Sequence, residues 1–210
     1  MAALGVLALA ACVGPAPTGS SATTGTAAPT ADRPAGGCEY IGARFSPPAG
    51  FVADEHREAG VPFPRVSLRR DAASRGVLVS IIPRAAGAAT ATPKQQADEY
   101  FASLRNGQIS RNWSNMSETP FTTGGRSHPS LTYRETMPSG VAGVDQVHDG
   151  RIVLFFPEDF PRGGYYYVFF WTDIHFTGQD PIVLTELEQL VSTFVVSGPP
   201  TTPSRGCAAR

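Results

Sequence analysis

Lysine is almost absent from this chain. Of its 17 basic residues 16 are arginine, leaving Lys94 alone. Together with abundant Ala, Gly and Pro, that bias reads as the mark of a GC-rich genome. Net charge is also lacking: 17 basic residues face 18 acidic ones, giving −1, so the chain carries no electrostatic footprint for nucleic acid. No apolar run after residue 12 is long enough to span a bilayer. The hydrolase signatures G-x-S-x-G, S-x-x-K and H-E-x-x-H do not occur. These absences predict no catalytic residue, no cofactor and no bound metal, and hence a protein that is not an enzyme.

What is present begins at Leu9-Ala10-Ala11-Cys12, which closes the apolar run Leu4 to Ala11. Small residues before a cysteine, after an apolar segment, form a bacterial lipobox. The thiol takes a diacylglycerol, further acylation such as palmitate follows, and Cys12 becomes the new N-terminus. No Lys or Arg precedes the run, although signal peptides carry a basic leader, and the expectation is a true start upstream of Met1. The competing reading is a buried first element of a cytosolic domain. Residues 13–37 argue against it, since 22 of these 25 are Ala, Thr, Gly, Pro or Ser. Such a segment buries too little apolar surface to offset its conformational entropy. As a flexible coil it would span about 25–30 Å, enough to hold a head clear of lipid headgroups.

The expected organisation is therefore a signal peptide over 1–11, a lipidated Cys12 with a linker to residue 37, one globular domain over 38–197, and a Pro/Thr-rich tail over 198–210. The head has enough length for one sizeable core. Cysteine parity supports the scheme. Three cysteines leave an odd thiol in an exported protein, but spending Cys12 on lipid leaves Cys38 and Cys207 as a pair. Both fall outside the predicted elements, at the two ends of the head. In an oxidising exterior they read as a disulfide, worth up to about 5 kcal/mol by loop entropy. The alternative is two unpaired thiols and a frayed tail.

Periodicity predicts the elements of the head. Arg44 to Phe51 reads as a short edge strand broken by Pro47 and Pro48. Arg65 to Arg70 and Gly76 to Pro83 read as a strand pair joined by the loop 71–76. Thr92 is a good helix N-cap, Pro93 suits the first turn and Gln95 completes a capping box. Ala97, Tyr100, Phe101 and Leu104 then recur at helical spacing up to a stop at Asn106-Gly107. Trp113 to Phe121 and Pro129 to Met137 read as two strands of a meander, separated by Thr122-Thr123-Gly124-Gly125. Val144 to His148 reads as a third, ending in the hairpin signal Asp149-Gly150. Ile152 to Phe156 is fully apolar. Tyr165 to Thr172 carries bulky residues on both faces, so it should be a central strand covered on both sides. Asp180 and Pro181 open a second helix, with Val183, Leu187, Leu190, Val191 and Phe194 as its apolar stripe. The sum is an α+β domain, a mostly antiparallel sheet of about seven strands with helices packed on its faces.

The opening Phe45-Ser46-Pro47-Pro48-Ala49-Gly50-Phe51 resembles the Phe-x-x-Pro-x-Gly-aromatic start of PsbP-like domains, which include bacterial lipoproteins of the LpqN type. The resemblance continues through a hairpin, a first helix, a meander, the aromatic strand and a helix closing on Ser192-Thr193-Phe194, covering residues 40–197. It implies a PsbP-like αβα sandwich acting as an adaptor or assembly module. It carries over no functional residue and no partner.

Each candidate site has a plainer reading beside the functional one. Trp113, Tyr165, Tyr167 and Trp171 offer stacking surface at the sheet edge or under the loop 157–164, and Phe155, Phe156, Phe160 and Pro161 add an apolar rim around Glu158 and Asp159. Exposed aromatics of this kind mark partner or glycan sites, whereas core packing is the plainer account. Asp173 and His175 lie at i and i+2, where a carboxylate orients an imidazole for general-base work, or else forms a strand-end ion pair. Asp145, His148 and Asp149 are turn residues before they are a metal site, and His56 and His128 read as loop surface. Two functional expectations follow. One is a lipid-anchored lipoprotein on the extracytoplasmic face of the cell membrane, whose head binds an envelope protein without catalysis. The other is an envelope enzyme or small-ligand-binding protein built on Asp173 and His175.

Overall fold

The computed structural model describes residues 37–59, 63–70, 78–85, 90–107, 112–160, 164–178 and 185–207, with the backbone alone at 78–82 and 85. All fall within one compact unit, Arg33–Arg210. Cys12, the linker before Gly37, the loop 71–76 and the helix opening at Asp180, Pro181 and Val183 lie outside the described residues.

The aromatic run becomes β11 (Tyr165–Phe176). It pairs antiparallel with β5 (Leu78–Ala85) on one side and β10 (Val144–Phe155) on the other. Outward from these lie β4 (Arg65–Arg69) and β3 (Val52–His56) at one edge, with β9 (Ser130–Val141) and β6 (Trp113–Glu118) at the other. Alternation sends Tyr167, Phe169 and Trp171 to one face and Tyr166 and Val168 to the opposite one. All five are buried.

Each face builds its own core. On the first, Val153, Phe155 and the β11 residues meet Leu187, Leu190 and Val191 of α2 (Thr185–Thr193). They also meet a second sheet, ordered β12 (Val195–Val196), β2 (Ala43–Phe45), β1 (Cys38–Tyr40), β13 (Gly206–Cys207). Phe194 is the hub, with its ring centroid 5.0 Å from those of Phe155, Tyr167 and Phe169. On the second face Ile152, Leu154, Leu131 and Tyr133 meet Ala97 and Phe101 of α1 (Pro93–Asn106). The helix starts as expected: Thr92 Oγ1 accepts from the Gln95 N–H, and Gln95 Oε1 accepts from the Thr92 N–H at 2.9 Å. Such a cap contributes about 1 kcal/mol.

The α+β expectation, a PsbP-like αβα sandwich with about seven strands, is corrected. The fold is mostly β: thirteen strands among the described residues, in three antiparallel sheets, against two helices. Two physical causes account for this. Segments read as loop or tail pair into short strands, and β9, β10 and β11 each continue through 12 residues.

The clearest local correction concerns Asp149-Gly150. These residues do not turn; they lie in mid-strand, with Gly150 opposite Tyr133 on β9 and Thr172 on β11. The turn falls at Ala142-Gly143, where Gly143 has a φ of 76°. Gly150 is needed because the Tyr133 ring lies over it, in the space a Cβ would occupy. The Tyr133 hydroxyl bonds Thr172 Oγ1 at 2.8 Å, and burial pushes its pKa up to about 12. Elsewhere, the stretch Arg44 to Phe51 is not one strand. β2 ends at Phe45, and the prolines lead into a turn closed by the Phe51 N–H on Pro48 O at 3.1 Å. Trp113 to Phe121 divides into β6 and β7 (Phe121–Thr123). Gly124-Gly125 turns β7 into β8 (Arg126–His128) rather than linking a meander.

The tail is part of the head. The Ser197 and Gly198 N–H groups donate to Gly42 O at 2.8 and 3.0 Å, and the Arg205 N–H donates to Glu39 O at 3.0 Å. Cys38 and Cys207 lie directly opposite each other in β1 and β13, inside strands rather than outside them, and are joined by a disulfide. It links residues 169 apart in sequence. Replacing Cys207 by Ser, or reducing the bond, should cost about 2–4 kcal/mol, read as a lowered urea midpoint. An unchanged midpoint with and without reductant would exclude a stabilising staple. Gly150→Ala should cost about 1–3 kcal/mol through overpacking. Adding Tyr133→Ala should make the Gly150→Ala step nearly neutral in a double-mutant cycle.

Candidate functional site

The end of the molecule where β10 passes to β11 gathers chemistry from four parts of the chain. Pro157 and Phe160 close a turn through the Phe160 N–H on Pro157 O at 3.1 Å, which presents Glu158 and Asp159 to solvent. The β7–β8 hairpin reaches toward this turn, because Gly124 and Gly125 both adopt positive φ, 57° and 75°. That conformation suits a two-residue hairpin turn. Arg126 at its tip hydrogen-bonds Glu158, and Thr123 Oγ1 donates to Glu188 O of α2 at 3.2 Å. The third wall is the end of α2, and the fourth is β12.

Between them lies an open cleft of about 570 Å³, in the size range of ligand sites, with Phe155 and Phe194 at its base and Arg126, His128, Glu158 and Asp159 among its polar lining. A second cleft of about 270 Å³ lies between Asp159, Tyr165 and Tyr167 on one side and Pro199 and Pro200 on the other. The two share Pro157, Asp159 and Val196.

The sequence expectation that His128 is loop surface is corrected. It is only 7% exposed, with its ring stacked on Phe155 at 5.2 Å between centroids. Burial, then the nearby Arg126 charge, lowers its pKa below the usual 6.5, so it is neutral at pH 7. Across the adjoining cleft, burial pushes the Tyr167 hydroxyl up to about 12, with the Asp159 charge adding to the effect. That hydroxyl donates to Ile41 O at 3.3 Å.

The aromatic surface expected from sequence divides. Tyr167 and Trp171 are 1% exposed and belong to the core, because β11 is covered on both sides; Tyr167 meets the second cleft from within. Trp113 is half-buried and stacks on Tyr133 with centroids 3.8 Å apart. Phe160 is half-buried against Phe156 and Tyr166. Tyr165 is half-buried, edge-on to Phe63, and lines the second cleft. The sequence marks Phe155 as part of an apolar rim here, but not Phe194, Arg126 or His128 as site residues. The Gly124-Gly125 turn was the available signal, since a tight hairpin there aims Arg126 and His128 at the same end as the loop 157–160.

The Asp173 and His175 pair sits elsewhere, on the first face beyond Trp171. Strand register sets Asp149 opposite both Asp173 and Arg134. Arg134 grips Asp149 through two hydrogen bonds, 2.6 and 2.8 Å, which raise its own pKa further. His175 lies between carboxylates, with Nδ1 3.5 Å from Asp173 Oδ2 and Nε2 3.6 Å from Asp149 Oδ2. Asp173 is 2% and His175 5% exposed, and neither lines either cleft. The arrangement is a charge network across three strands, buried at Asp173 and His175 and open to solvent at Arg134. His148 points to the opposite face, 3.8 Å from Glu135, and burial lowers its pKa. Asp145, His148 and Asp149 are thus strand residues, not members of one turn. His56 likewise lies on β3, where its Nε2 meets Arg69 at 3.2 Å. Among the described residues no group of three or more His, Cys, Asp or Glu is arranged to hold a metal ion.

No protein-family model matches this chain, and no curated protein matches it. The fold and the clefts are therefore the basis for any reading of what it does.

A folded-state pKa below the unfolded value means the unfolded chain binds a proton first as pH falls. The stability from neutral His128 is thus full above about pH 6.5 and is lost as pH drops toward the folded value. The melting temperature should fall between pH 7.5 and 5.5, and His128→Asn should flatten that fall. An identical slope in the variant would mean His128 does not titrate between the two states.

Proposed function

We propose that this chain is a lipid-anchored, extracytoplasmic binding domain whose head engages a protein of the cell envelope through the clefts at the β10–β11 end. The observation that carries the reading is the pair of adjoining clefts, about 570 and 270 Å³, which combine an aromatic base with charged and polar side chains. Apolar concavities with a few convergent polar groups are where proteins take ligands and partner segments. Both the Cys12 lipobox and the Ala/Thr/Gly/Pro/Ser linker after it support the address. The Cys38–Cys207 disulfide fits an oxidising compartment. Among the described residues no helix is long and apolar enough to cross a membrane, and the lipid on Cys12 supplies the attachment. Asp173 and His175 contribute to the fold in this reading rather than to chemistry, because both are buried and bound into a charge network.

Anchor and site are tested separately. Cys12→Ser should move the protein from the membrane fraction to the soluble one and abolish lipid labelling. Undiminished membrane retention would remove the anchor from the proposal. For the site, crosslinking in intact cells is compared for wild type, Ser192→Trp and Thr136→Trp. Ser192 is exposed at the large cleft, whereas Thr136 is exposed on β9 and away from it. The expected result is an envelope partner lost with Ser192→Trp and kept with Thr136→Trp. Equal capture by all three would exclude the cleft as the binding site.

A further inference from the structure

The lining of the two clefts also says what kind of segment they fit. The large cleft runs along β12, an edge strand that pairs only with β2. β2 contributes nothing to its lining, so the cleft lies on the free side of β12. Edge strands present unpaired backbone groups to which an extended chain can pair. Val195 stands 55% exposed there. Beyond Val196 the concavity continues past Asp159 into the second cleft. A trough of this form suits an extended chain better than a single compact molecule.

Among the described residues the charges along the trough are not balanced. Its cation, Arg126, is hydrogen-bonded to Glu158. Asp159 is exposed and forms no ion pair with any described residue. The C-terminal end of α2, represented by Val191 and Ser192, also opens on the cleft, and its last turn contains no basic residue. The negative end of a helix dipole favours a cation nearby. At the back His128 is 7% exposed and makes no hydrogen bond or ion pair with any described residue; the Phe155 stack is its ring contact. A partner entering the large cleft can reach this ring, which also lines a concavity against α1.

We infer that the trough binds an extended peptide segment of the envelope partner carrying a basic side chain. That side chain lies against Asp159 and the end of α2, an apolar neighbour rests on Phe155 and Phe194, and His128 hydrogen-bonds the peptide backbone. The inference rests on the reading of the head as a binding domain and narrows it to one partner chemistry.

The test uses the full chain carrying Cys12→Ser and fluorescein-labelled synthetic octapeptides, read by fluorescence anisotropy. The first peptide repeats Val-Lys-Val-Thr, the second replaces each Lys by Glu, and the third keeps Lys but replaces alternate Val by Pro to remove backbone donors. Hexylamine serves as a competitor that supplies cation and apolar body without a backbone. The Lys peptide should bind at least about tenfold more tightly than either of the others. Asp159→Lys should erase the preference for Lys over Glu, and His128→Gln should weaken the Lys peptide without altering that preference. A folded Asp159→Lys protein, checked by circular dichroism, that keeps the preference would overturn the inference. So would equal binding of the Lys and Glu peptides, or displacement by hexylamine at the concentration of unlabelled peptide that displaces. If the crosslinked partner remains sensitive to Ser192→Trp while the peptides show no charge preference, the binding-domain reading stands and only this inference falls.

Discussion

Strand β11 has almost no solvent-facing side, and the rest of the head follows from that condition. A strand with Tyr167, Phe169 and Trp171 on one face and Tyr166 and Val168 on the other must be covered twice. Burying an aromatic side chain is worth about 1.5–3 kcal/mol against leaving it exposed. One cover is α1 together with neighbouring strand residues. The other is α2 with the four-stranded terminal sheet. Because that second cover is assembled from both chain ends, the disulfide and the tail hydrogen bonds to Gly42 and Glu39 belong to core formation. They are not decoration on a finished domain.

The same geometry creates the clefts. Where β10 passes to β11 the β7–β8 hairpin, the turn at 157–160, the end of α2 and β12 converge without closing. The concavity is a seam between these elements, which explains its mixed lining. Its base, Phe155 and Phe194, belongs to the core, while its rim, Arg126, Glu158 and Asp159, consists of loop and hairpin-tip charges. His128 sits at the seam itself, stacked like a core ring yet still carrying hydrogen-bonding nitrogens. The network of Arg134, Asp149, Asp173 and His175 is the counterpart at the other end of the same sheet. There, four polar groups on adjacent strands lie against one another instead of facing an opening.

Local chemistry determined a definite part of this protein. The α1 cap is legible because Thr92, Pro93 and Gln95 act within one turn, and the central position of β11 because bulk on both faces excludes a solvated side. Cysteine parity pointed to Cys38 and Cys207 without any geometry. What required the tertiary structure was everything that depends on register between distant strands. Asp149-Gly150 has the composition of a turn, but the ring of Tyr133, brought alongside by β9, turns the missing side chain into a packing requirement. Pairing of the tail with β1, invisible in a Pro/Thr-rich segment, helped convert an expected layered α+β domain into a mostly-β one. His128, next to a proline in an apparent loop, becomes a buried cleft residue only when β8 stacks it on Phe155. Backbone preference is written over a few residues, whereas burial is decided by partners tens of residues away. For that reason the elements could be read along the chain and the site could not.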